Sequence, residues 1–178
     1  MVITFQFTVR PGQGAPSGFD MGDMLVTGAL GTANSSGHVP DQGMMIYLSV
    51  VHLLDTLGRF LQGDARVLSY IGVDTSFKLV VRRNKDGLSV AGKDGVIARA
   101  TVPELASAVL RAAEELGRSL PQEDPVASDW ETVLTAFRPL VPTATRRRPS
   151  ARPSSAGVNG IPGVGTAFVK DTFPGSAP

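Results

Sequence analysis

Asp20, Asp23, His38 and Asp41 are the side chains that could do chemistry together, set around two glycine-rich stretches. Carboxylates with one neutral imidazole are suitable donors for a divalent cation, and the same groups could serve a metal-dependent or hydrolytic enzyme. Their spacing follows neither the EF-hand loop nor the HExxH arrangement. Asp and Gly also collect in loops for turn-forming reasons alone, since an Asp side chain can mimic a backbone turn and glycine tolerates positive φ. Ser35, Ser36, His38 and Asp41 add the residue types of a hydrolase triad within one short segment. Triads ordinarily draw on distant segments, because one loop cannot aim three groups at one centre, and no GxSxG elbow is present.

Other motifs have simpler readings. The run Gly28 to Gly37 follows an expected strand, as a phosphate loop would, but lacks Gly-Lys-Ser/Thr and the GxGxxG spacing. Gly160 to Gly165 has neither a strand before it nor a helix after it, so both runs read as connections. Asp74-Thr75-Ser76 reads as a turn built on the Asp side chain. Arg82 and Arg83 would point to opposite faces of a strand, which makes a charged hairpin end rather than a patch. His52 shares a polar helix face with Asp55 and Arg59.

The chain has 178 residues, of which 42% are hydrophobic, enough for a core. Cysteine is absent, which excludes disulfides, thiol nucleophiles and cysteine-ligated metals, and two histidines cannot make a three-histidine centre. Residues 1–138 hold 12 of the 17 Lys+Arg and 15 of the 16 Asp+Glu, a net of −3; residues 139–178 carry a net of +4. A nucleic-acid-binding body would be expected to carry its positive charge on the fold, whereas this one is mildly acidic. In the tail, Arg146, Arg147, Arg148 and Arg152 could bind an anionic partner, although only Phe168 and Phe173 are available there for stacking on bases. The N-terminus has no basic leader, and the apolar stretch Met44–Leu54 is too short to span a bilayer, so the expected location is the cytoplasm.

The elements that must position these groups are legible from periodicity. Ile3, Phe5, Phe7 and Val9 alternate with polar residues and predict a strand over 2–10, with a second over 24–30 and a long connection over 31–43. Residues 44–48 read as a buried strand and 50–62 as a helix closed by Gly63; a single helix over the whole segment is the competing reading. Four β-rich runs follow, at 67–73, 77–83, 88–91 and 96–101, with Lys-Asp-Gly in two connections, which predicts an antiparallel meander. Thr101-Val102-Pro103-Glu104 and Ser128-Asp129-Trp130-Glu131 each read as a capping box, opening helices over 102–120 and 129–138. Residues 139–178 hold 7 of the 13 prolines and no sustained periodicity, and read as a disordered tail.

The expectation is an α+β domain over residues 1–138, with a single antiparallel sheet of about five to seven strands covered on one face by two or three helices. No nucleotide loop, metal quartet or nucleophile–base pair stands out, so the leading functional expectation is a non-catalytic protein that binds another protein, with no cofactor, through its exposed sheet face or the loop 31–43. Bacterial immunity proteins include small, mildly acidic α+β domains that work in this way; the comparison rests on fold class alone. The alternatives are an unrecognised hydrolase or metal-dependent enzyme using Asp20, Asp23, His38 and Asp41, and nucleic-acid association through the basic tail.

Overall fold

Alternating apolar residues from Ile3 to Val9 put Ile3 and Phe7 into the interior and leave Thr4, Gln6 and Thr8 exposed. In the computed structural model, which describes residues 3–142, this run forms strand β1 (Thr4–Val9). The proposed tail beyond residue 142, with its arginines Arg146, Arg147, Arg148 and Arg152, lies outside the described residues. Strand β1 pairs antiparallel with β2 (Met21–Thr27), whose other edge carries β3 (Thr32–Asn34) and the two-residue β4 (Met44–Met45). Strand β2 starts earlier than expected because Met21 and Gly22 pair with Met45 and Met44. Residues 32–34, expected to be connection, form a strand because the turn over 28–31 folds them back onto Leu25–Thr27.

Helix α1 (Ile46–Gln62) corrects the expected strand at 44–48: only Met44 and Met45 are extended, and the helix begins at Ile46. The continuous apolar run there reflects a helix buried over much of its circumference. Ile46, Tyr47 and Val50 join the stripe of Leu53, Leu54, Leu57 and Leu61. Ser49 lies within this stripe because its hydroxyl accepts from the Val73 amide at 2.9 Å, while its carbonyl accepts from the Tyr70 hydroxyl at 2.8 Å.

The meander is as expected: β5 (Val67–Ile71), β6 (Lys78–Asn84), β7 (Gly87–Gly92) and β8 (Gly95–Ala100), paired in that order. Its two Asp-Gly turns place Gly87 and Gly95 at φ 134° and 126°. Helix α2 (Val102–Gly117) opens on the capping box, with the Thr101 amide donating to Glu104 Oε2 at 2.7 Å. Helix α3 (Pro125–Phe137) begins before the expected Ser128 box, since Asp124 caps it and Pro125 takes the first position, a stronger start signal.

The fold is α+β, with two four-stranded antiparallel sheets instead of one. After β4 the chain enters α1 and starts a new meander; the two sheets touch where the Met45 amide donates to the Val73 carbonyl at 3.3 Å, and again where the β2–β3 hairpin meets β7 and β8. There the Leu30 amide donates to the Ile97 carbonyl at 2.9 Å. The approach needs glycine: a Cβ on Gly28 would lie 2.5 Å from the Ile97 carbonyl oxygen, and one on Gly92 would lie 2.9 Å from the Ala33 Cβ. One apolar core nevertheless joins both sheets and all three helices, with Tyr47 and Trp130 packed edge to face at 5.6 Å. No helix among the described residues is long and apolar enough to cross a membrane.

Candidate functional site

Strand β1 is followed directly by Arg10, whose guanidinium lies between two of the candidate carboxylates. Nε and Nη2 donate to Asp23 on β2 at 2.7 and 2.8 Å, and Nη1 and Nη2 donate to Asp41 at 2.8 and 2.9 Å. This doubly bidentate arrangement holds both carboxyls well below their ordinary range and raises the guanidinium further. Asp23 also accepts from the Ser35 hydroxyl at 2.9 Å, and that hydroxyl accepts from the Met24 amide. The other two candidates lie apart from this pair. Asp20 accepts from the Ser17 amide within its own turn, and His38 Nε2 donates to the Asn34 carbonyl at 2.7 Å.

Asp23 and Asp41 therefore meet over a cation of the protein's own, and their donor atoms are turned toward Arg10. Among the described residues no three His, Asp or Glu side chains are grouped to hold a metal. The triad types are not assembled either: Ser35 is buried on Asp23, and His38 bonds to a backbone carbonyl instead of a hydroxyl or carboxylate. What the cluster does is position a loop. Arg10 pins Asp41, and the Thr75 hydroxyl donates to the Gln42 carbonyl at 2.8 Å, so residues 35–43 are tied to both sheets.

Beside that loop, where β3 faces the β6 start and the β7–β8 turn, is a cavity of about 420 Å³. Ala33, Phe77 and Val80 contribute its apolar wall, and His38, Lys78, Lys93 and Asp94 lie around it. Sequence reasoning missed it, because its residues come from four separated segments. The signal that was present is the pair of lysines, Lys78 and Lys93, at one end of the meander.

The second sheet also leaves one face open. Strand register places Val67, Arg82, Ser89 and Arg99 in one row across that face. Ser69, Val80, Ala91 and Val96 form the next row, and Ile71 and Lys78 begin the third. Val67 and Ile71 are 48% exposed and Val96 45%, so the aliphatic groups are presented to solvent. None of the four strands contains an Asp or Glu. Arg82 and Arg83 do point to opposite faces: Arg82 joins this surface, and Arg83 turns inward to helix α1. His52 is exposed on α1 with its ring 5.7 Å from that of Tyr70, while Asp55 and Arg59 pair beside it. No family model matches the chain, and no curated protein or solved structure matches it either.

Proposed function

We propose that this protein is a non-catalytic binding module whose partner is another protein with an acidic surface, seated on the open face of β5–β8. The observation that carries the reading is the make-up of that face: exposed Val67, Ile71 and Val96 among Lys78, Arg82 and Arg99, with no strand carboxylate. Aliphatic side chains favour association by leaving water, and arginines supply steering and directional hydrogen bonds. The concentration of positive charge is local, because residues 1–138 as a whole are net negative. Stacking on nucleic-acid bases lacks support here, since the exposed apolar groups are aliphatic rather than aromatic. A toxin neutralised by surface contact, as immunity proteins do, is one form such a partner could take, and the proposed setting is the cytoplasm.

The test compares the full chain with the Arg82→Glu, Arg99→Glu double variant as immobilised baits in extract from the organism that encodes it. Both sites are exposed, so the variant is expected to keep the wild-type circular dichroism spectrum and thermal midpoint. The expected result is an acidic protein retained by wild type, released by salt and absent from the variant. Identical retention by both baits, or nucleic acid as the salt-released material, would defeat the proposal.

A further inference from the structure

The cavity between the sheets has features that the open face does not need. Its volume of about 420 Å³ falls in the range of roughly 300–1,000 Å³ typical of small-ligand pockets. Its apolar wall can accept a compact hydrocarbon group, and its surroundings are unequal in charge. Lys78 and Lys93 stand against Asp94 alone, and among the described residues neither ammonium is paired with a carboxylate. Residues that carry other side-chain donors line it too: Asn34, Gln42 and Ser76.

The walls are held before any ligand arrives. The loop bearing His38 and Gln42 is tethered by the Arg10–Asp41 pair and by the bond from Thr75 to the Gln42 carbonyl. The His38 ring is oriented by its bond to the Asn34 carbonyl. On the other side, the glycine at position 92 lets β3 sit against β7, since any side chain there would meet Ala33. A preformed pocket spares the ordering cost that weakens binding by mobile loops.

We infer that this cavity is a binding site for a small organic anion with a compact apolar body, the anionic group held by Lys78 and Lys93 and the body lying against Ala33, Phe77 and Val80. The inference stands apart from partner binding on the open face. Lys78 and Val80 belong to both surfaces, but Ala33 and His38 belong to the cavity alone.

The test is a titration of the isotope-labelled full chain, followed by amide NMR shifts, with benzoate and phenyl phosphate as probes and benzyl alcohol and benzylamine as controls. Both anions are expected to shift Ala33, Phe77 and Gly92 in a saturable way, more tightly than the alcohol, and benzylamine is expected to shift none of them. The Lys78→Gln, Lys93→Gln double variant removes two surface charges without touching the core. It is expected to keep the wild-type spectrum in the absence of probe and to weaken benzoate binding about tenfold, the size of a charge-assisted contact. Anions that shift none of these amides, an alcohol that binds as tightly as benzoate, or a double variant that binds like wild type would each overturn the assignment. None of these readouts involves a protein partner, so failure here is distinct from failure of the binding-module proposal.

Discussion

Arg10 makes four hydrogen bonds to two carboxylates that lie 13 and 31 positions further along the chain, and only Asp23 of the two is largely covered. Removing the guanidinium would leave Asp23 with Ser35 as its remaining hydrogen-bond partner. Arg10→Met, which keeps the apolar stem, is expected to lower unfolding stability by about 1–3 kcal/mol in urea titrations. The sign of the pH dependence follows from the carboxyls. Both are held below the 3.8 they would have in an unfolded chain, so the clamp stabilises fully above that value and is lost as pH falls through the lower folded values. Wild type should therefore lose stability on acidification from pH 4 downward, and Arg10→Met should lose less over the same interval; parallel curves would contradict the assignment. Asp23 and Asp41 were visible in the sequence as chemically capable residues. Their common partner was not, because Arg10 reads locally as nothing more than the polar end of a strand.

Arg83 links an element of the second sheet to a helix. Its Nη2 donates to the carbonyls of Phe60, Leu61 and Gly63 at 2.8, 3.0 and 3.1 Å, and its guanidinium lies 5.0 Å from the Phe60 ring centre. A cation at a helix C-terminus satisfies carbonyls that have no partner within the helix and complements the helix dipole. Arg83→Ala is expected to destabilise by about 1–3 kcal/mol. Amide exchange should accelerate in the last turn of α1 and remain unchanged in α2. Arg82→Ala, one position away on the open face, should change stability by about 0.5 kcal/mol or less. Alternation separated the two arginines correctly, and the capping box of α2 and the Asp-Gly turns were equally legible, because each depends on neighbours within a few positions. The starts of α1 and α3 were misplaced for an opposite reason. At Met44–Leu48 burial on several sides hides the helical period, and at Asp124-Pro125 the cap lies ahead of the periodic run, whose own nearest cap signal is Ser128.

At the level of the whole fold, one core spans both sheets, so the sheets should not melt separately. Trp130 is the chain's only tryptophan; it packs on Tyr47 of α1, and an added Cβ at Gly117 of α2 would lie 2.5 Å from its indole nitrogen. Its fluorescence therefore reports the helical layer, and far-ultraviolet circular dichroism reports both sheets as well. Coincident midpoints in urea are expected from a single cooperative transition, and separate midpoints would mean that the meander folds independently. Trp130→Ala should cost about 3–5 kcal/mol, measured by the shift of the circular dichroism midpoint.

Short-range patterns in the chain were sufficient to establish the α+β class, the meander, the capped helix after it and the alternating first strand. Each of these follows from side-chain period, turn chemistry or a cap, which act between residues close in sequence. Long-range contact decided the rest: that the strands divide into two sheets, that Asp23 and Asp41 close on Arg10, that a cavity opens beside β3, and which sheet face stays bare. Those outcomes depend on close approaches such as Gly92 to Ala33, which local periodicity does not encode and which arise only when the core brings distant segments together.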